Sequence, residues 1–264
     1  MYQYGVADWI LLFFVYGFFG WIFETTYVSL RKHQFVNRGF LRGPILPIYA
    51  SGAIIILFVT IPLRGNPVMI YFAGAAAATL LELVVGLAME GMFKVKYWDY
   101  SNQRFHYKGV ICLSSSIAWG FLALFLTGVI HKPIERVMFQ ISPVLEYVLV
   151  VVFGVIFVTD TVISVKAALD LKVMLEKMTV MRKELEEIQE QFAEHAIEKK
   201  EHWKKKLEEY REYSKSYGIL KAQLIKAHPS ATSAKYREAL RDMRKSIEDE
   251  IKEKRQKIKN KLEK

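Results

Sequence analysis

The chain opens with long apolar runs and closes with a charged, periodic stretch, and the change falls near residue 165. A bilayer-spanning helix needs about 20 predominantly apolar residues. Five runs answer to that, at residues 9–30, 45–63, 68–93, 110–130 and 144–169. The second is interrupted by Pro44, Pro47 and Gly52, which suit a broken or re-entrant helix. From Leu171 onward the pattern changes to a heptad stripe of Leu171, Met174, Met178, Met181, Leu185, Ile188 and Phe192, spaced alternately three and four. It fades over the charged residues 198–206 and returns weakly at Leu207, Tyr210, Tyr217 and Leu220. Pro229 then breaks the helix within HPSATS (228–233), where Ser and Thr can cap the next one. A last helix, about 234–263, carries Tyr236, Leu240, Met243, Ile247, Ile251, Ile258 and Leu262 on one side. The predicted class is all-α: a five-span membrane domain over residues 1–165 and a charged helical tail over 166–264. The tail would form a coiled coil or an antiparallel helical hairpin turning near 228–233, closed within one chain or between two.

Charge sharpens this division. Residues 1–165 hold 11 Lys and Arg against 8 Asp and Glu, and the rest of the chain holds 26 against 19. The basic residues of the first part cluster in alternate loops, at Arg31, Lys32, Arg38 and Arg42 and again at Lys94, Lys96, Arg104 and Lys108. The positive-inside rule therefore puts those loops and the tail in the cytoplasm and the N-terminus outside a bacterial plasma membrane. The first run carries Glu24 and has no basic leader or small-residue cleavage site, unlike a signal peptide. A single cysteine, Cys112, excludes a disulfide framework. The tail mixes Lys with Glu at helical spacing, so local pairing blunts its positive charge, and no nucleic-acid motif is present. No nucleic-acid partner is expected. The lipid bilayer is.

Ionisable groups inside a span are costly, which makes each one a functional candidate. Glu24 lies in the first run, Glu82 and Glu90 in the third and Asp160 in the fifth. Glu82 is the deepest. Glu82 and Glu90 are separated by roughly 80° around a helix axis, so they share a side. No Lys or Arg sits deep enough to neutralise these acids. They are protonated, hold a cation, or accept bonds from loop residues such as Arg38 and Arg42. Two loops beside them are unusually rich: VNRGFLRGPILPIY (36–49), with Asn37, Arg38 and Arg42, and KYWDYSNQRFHYKG (96–109), with Trp98, Asp99, Tyr100 and Ser101. Asp99 equally suits a turn cap, Glu90 a side chain reaching for the interface, and His106 a plain surface residue. Chemistry is also limited by what is missing. There is no GxxxxGK[ST], HExxH, GxSxG or CxxC, and the run Ser114–Ser116 has no evident histidine partner. No cofactor is evident. A divalent cation bound by clustered carboxylates is the one inorganic ligand that the acids would suit.

The segments GWIFE (20–24), VNRGFLRGPILPIY, LLEL with Glu90, and WDYS (98–101) resemble the signature segments of the bacterial ABC transporter permease family of type IV, with GVICL (109–113) a weaker match. The resemblance covers about residues 8–165. It departs at Lys108, Gly109, Val110 and Ile111, where the family reads Asn-Gly-Arg-Ile, and at Ser115, where it has Asn. It implies a membrane subunit working with a separate ATPase. Because five spans are few for a pore, it also implies a homodimer. Two other functions fit the residues: a membrane enzyme working on lipid headgroups, with carboxylates holding a metal and Arg38 and Arg42 gripping phosphate, and an anchor or sensor whose coiled-coil tail recruits a partner.

Overall fold

The structure is a computed structural model and describes residues 4–190 and 198–262. About 78 % of it is helical. The order is α1 (Val6–Lys32), α2 (Pro47–Thr60) extended by a 3-10 turn (Ile61–Leu63), α3 (Pro67–Phe93), a two-residue hairpin of β1 (His106–Tyr107) and β2 (Ile111–Cys112), α4 (Leu113–Phe125), a π turn (Leu126–Ile130), α5 (His131–Met138), α6 (Pro143–Glu190), α7 (Glu198–Lys215), α8 (Gly218–Ala227) and α9 (Arg237–Leu262). The strands pair antiparallel, His106 with Cys112 and Tyr107 with Ile111. The all-α class holds, with this short hairpin as its one departure among the described residues.

Four helical stretches are long and apolar enough to cross a membrane: Val6–Lys32, Pro67–Phe93, Leu113–Met138 and Pro143–Glu190. The remaining apolar helix, Pro47–Leu63, is shorter. At 1.5 Å per residue its 17 residues reach about 25 Å, against a hydrocarbon core of about 30 Å. Pro47 occupies its first turn, where a missing N–H costs nothing, and residues 44–46 before it are not helical. The stretch Leu113–Met138 extends a turn or more past the expected end at Ile130. His131, Lys132, Glu135 and Arg136 look like the start of a loop, but His131 and Glu135 are buried and the helix runs on to Met138. Pro133 lacks the N–H that an uninterrupted helix would use, and the π turn lies immediately before this segment.

The chain forms two compact units. The first comprises Met1–Gly91 and Lys96–Val165. An apolar core is built from Leu11, Leu12 and Tyr16 of α1, Ala53, Ile56 and Leu57 of α2, Ala78 of α3, and Ala123 and Leu126. Glycines set the helix spacing, because without attraction between apolar surfaces in lipid, close backbone approach is what holds helices together. A Cβ on Gly20 would lie 2.5 Å from that of Tyr49, and one on Gly74 would lie 2.2 Å from that of Ala123. Residues 144–162 of α6 are mostly exposed apolar side chains such as Val144, Val151, Val155 and Val162.

The second unit comprises Met92–Val95 and Lys166–Lys264. No break marks its start in α6, whose helix of 48 residues runs from Pro143 to Glu190. Leu171, Met174, Leu175, Met178 and Leu185 are buried here with Tyr210, Leu224, Ile225, Tyr236, Leu240, Met243 and Ile247. Phe192 and the side chains of Ile258 and Leu262 lie outside the described residues. The chain does not continue as one helix to residue 227. It turns at Ser216 and Tyr217, and Gly218, with φ at 65°, opens α8. The positive φ is the reason a glycine stands there. Charge pairs tie the helices together: Arg182 with Asp242 at 2.7 Å, Lys206 with Glu184 at 3.3 Å and Lys235 with Glu176 at 2.7 Å. Ser233 accepts from the N–H of Tyr236 at 3.0 Å and donates to the Lys94 carbonyl at 2.6 Å.

Candidate functional site

The first loop folds back onto the final turns of α1. Trp21, Glu24, Thr25 and Ser29 are three, one and four residues apart, a spacing that places them along one side of a helix. Each of them meets the loop. The Trp21 indole N–H donates to Asn37 Oδ1 at 2.6 Å, the Arg38 backbone N–H to Thr25 Oγ1 at 3.2 Å and the Val36 N–H to Ser29 Oγ at 3.0 Å. The Arg38 guanidinium binds Glu24 Oε1 through Nε at 3.2 Å and Nη2 at 2.9 Å. Glu24 Oε2 accepts from the Tyr49 hydroxyl at 2.8 Å. Both partners of this ion pair are largely buried, at 15 % and 18 % side-chain exposure for Arg38 and Glu24.

The other end of the loop is held by Asp160. Its Oδ1 accepts from the Arg42 backbone N–H at 3.2 Å and its Oδ2 from that of Gly43 at 2.8 Å. Asn37 Nδ2 closes the loop on the Arg42 carbonyl at 3.0 Å. It is the backbone of Arg42 that meets an acid. Its side chain is exposed, and no ion pair with Glu24 or Glu82 places it beside Arg38.

The second loop delivers a hydroxyl to Glu82. Asp99 Oδ1 accepts from the N–H of Ser101 at 2.9 Å and from its hydroxyl at 2.5 Å, which fixes an Asx turn. The Trp98 indole donates to the Val110 carbonyl at 2.8 Å, and the Tyr100 N–H to the Gly109 carbonyl at 2.8 Å. Gly109, with φ at 70°, leaves room for Asp99 and Ser101, since a Cβ there would lie 2.5 Å from both. So braced, the Tyr100 hydroxyl donates to Glu82 Oε1 at 3.0 Å. Burial, and next the charge of Glu82, push the Tyr100 phenol well above its ordinary range, so it remains a donor. Glu82 Oε2 accepts from Ser115 at 3.3 Å and from the Trp119 indole at 3.1 Å. Glu82 is 5 % exposed, and among the described residues its carboxyl meets three neutral donors and no cation, Ser115 sharing its single hydrogen with the Cys112 carbonyl at 2.9 Å.

Glu24 and Glu82 thus have separate donors, and those donors touch: the Tyr49 and Trp119 rings meet edge to face with centroids 6.2 Å apart. Arg38, Asn37, Trp98, Asp99, Tyr100 and Ser101 act around this pair. Glu90 stands apart. Its partner is Lys96 at 3.9 Å, and it is a third exposed. Asp160 binds the loop backbone and Ser164, not another acid. Among the described residues no three His, Cys, Asp or Glu side chains are grouped to hold a metal ion. Two contributors, Tyr49 and Trp119, were not singled out by sequence reasoning, and Ser115 stood out only as part of the serine run and as a departure from the family pattern. Tyr49 closes the first signature segment, and Trp119 is one turn beyond the serine run. An indole or hydroxyl one helical turn from a conspicuous polar run is the signal that could have found them.

No curated protein and no solved structure matches the chain. Residues 11–165 match the model of a family described as Putative ABC-transporter type IV. The match takes in α1 from its second turn, α2 to α5 and the first part of α6, and with them both loops and both carboxylates. Together with the long apolar helices, this fits a membrane-embedded component of a transporter. The chain belongs to the ABC-transporter type IV family.

Proposed function

We propose that the protein is the permease subunit of an ATP-driven transporter and that Glu24 and Glu82 are the groups that handle its cation, proton or solute near the cytoplasmic side. The observation that carries this reading is the way Glu82 is satisfied. A carboxyl buried in a span, with neutral hydroxyl and indole donors in place of a fixed cation, keeps its charge available to something else. One of its donors, Tyr100, comes from a loop, so loop movement would expose the acid. Glu24 has the opposite arrangement, with a fixed cation from the other loop.

The reading includes five crossings, with α2 as the short fifth, the N-terminus outside, and α7 to α9 in the cytoplasm as a helical, coiled-coil-like docking platform. The energy would come from a separate ATPase, because this chain has no P-loop. Two copies in a bacterial plasma membrane would enclose the path. Native mass spectrometry of the protein, extracted from its own membrane with partners untagged, tests this. An ATPase at fixed stoichiometry supports the reading, and a bare chain carrying only lipid overturns it. Topology has its own check in a Cys112→Ser background. A cysteine at Asn66 should react with an impermeant maleimide on intact cells and one at Arg104 should not. The reverse labelling rejects the orientation.

A further inference from the structure

A second polar centre occupies the opposite end of the first unit, where α1 begins and α5 follows the π turn. His131 is fully buried. Its Nδ1 is 2.8 Å from the Tyr16 hydroxyl and its Nε2 is 2.9 Å from the Tyr4 hydroxyl. Tyr4 also donates to Glu135. Glu135 pairs with Arg64 at 3.6 Å and lies 3.9 Å from His131 Nε2. Arg64, 38 % exposed, brings this chain of groups to water.

The hydrogens in the chain can be placed by elimination. An ionised carboxylate only accepts, so Tyr4 gives its single hydrogen to Glu135. The Tyr4 oxygen must then accept from Nε2–H. In the neutral ring Nδ1 is consequently bare and accepts from Tyr16. Every group runs one way, from Tyr16 through His131 and Tyr4 to Glu135.

We propose that His131 is a proton-binding site. Among the described residues, the groups within hydrogen-bond distance of its two nitrogens are rotatable hydroxyls, with the Glu135 carboxylate 3.9 Å from Nε2. A proton from water adds to Nδ1, forming one N–H bond and an imidazolium. Its charge lies beside Glu135, which Tyr4 bridges to it. The Tyr16 hydroxyl, until then a donor, must turn so that its oxygen accepts from Nδ1–H and its own hydrogen points away from the ring. Loading the site therefore reorients a buried side chain of α1, the helix that also carries Glu24. The charged and titratable neighbours are Tyr4 before α1, Tyr16 on α1, Arg64 after α2 and Glu135 on the same helix as His131. Asp8 of α1 and Glu146 of α6 are a separate pair of neighbouring carboxyl groups. Thr60 and Thr127, joined at 2.8 Å, add no charge. The proposal is independent of the roles assigned to Glu24 and Glu82.

The test is nitrogen-15 NMR of the full-length protein in lipid nanodiscs, labelled at histidine, with His131 assigned by its loss in His131→Gln. At pH 8 the ring should carry its hydrogen on Nε2 alone. By pH 5 it should carry two. In Glu135→Gln the second proton should require about tenfold more acid, because an anion beside the ring is lost, and in Arg64→Gln about tenfold less. The Arg64 variant changes an exposed side chain and stays informative should Glu135→Gln not fold. A ring that holds one proton down to pH 5 in folded protein, or a transition that ignores both substitutions, overturns the proposal.

Discussion

Glu82→Gln should leave the bundle folded and stop the transporter. Glutamine has the shape of glutamate, but one of its two ends donates. Trp119 can only donate, so the amide oxygen must face Trp119 and Ser115 and the amide nitrogen must face Tyr100. The Tyr100 hydroxyl can turn and accept. All four groups remain bonded, and the cost in stability should be at most about 1 kcal/mol. What is lost is the charge and the ability to take a proton. Measured on the complex of permease and ATPase in lipid, solute-stimulated ATP hydrolysis should fall at least about tenfold, which corresponds to 1.4 kcal/mol at the affected step. Full activity with an unchanged melting temperature would make Glu82 a structural acid. Tyr100→Phe separates the two roles further. It removes the loop's donor and keeps the carboxyl, so the same assay should report altered stimulation and not its loss.

The limits of the sequence follow from the solvent on each side of the helices. In water, burial leaves a polar face and an apolar face, and the period of the pattern identifies the core. In lipid both faces are apolar. On α1 the exposed Phe18, Phe19 and Phe23 are as hydrophobic as the buried Leu11, Leu12 and Phe14. The apolar runs therefore locate helices but not their contacts, which is why Tyr49 and Trp119 were not legible as the groups between the two acids. The short α2 shares the cause, since composition does not distinguish 17 helical residues from the 20 of a full span. The polar exceptions were legible. Glu24 and Glu82 stand out because nothing around them in sequence resembles them, and each has a specific set of donors. His131 and Glu135 were hidden by their position at the end of a run, where polarity reads as a loop. In the tail, buried and exposed positions separate well from Leu171 to Leu185, because charge marks the outer face there. The turn at Ser216 and Tyr217 carries no proline, and the single Gly218 is a weak signal by itself.

Arg38→Ala should be the most destabilising substitution in the first loop. Its backbone N–H would still bind Thr25, and Asn37 would still be held by Trp21, so the loop path would persist. The guanidinium, however, supplies two bonds to Glu24 Oε1 and, among the described residues, the cation beside that carboxylate. Removing it leaves a largely buried charge with Tyr49 as its remaining donor. Breaking such a pair by deleting one partner costs about 3 kcal/mol or more, most of it from the orphaned ion and not from the lost attraction. The melting temperature of the protein in detergent should fall by roughly 6 °C or more. The same reasoning makes the rescue specific. In Arg38→Ala with Glu24→Gln the carboxylate is gone, the Tyr49 hydroxyl still has an amide oxygen to donate to, and most of the loss should be recovered. Were the double variant as unstable as Arg38→Ala alone, the loss would come from the arginine's alkyl packing, and the ion pair would not be what fastens the loop. Recovery of stability without recovery of ATPase stimulation would separate the roles of the two partners: Glu24 would be needed charged for function, and Arg38 needed only to make that charge tolerable inside the bundle.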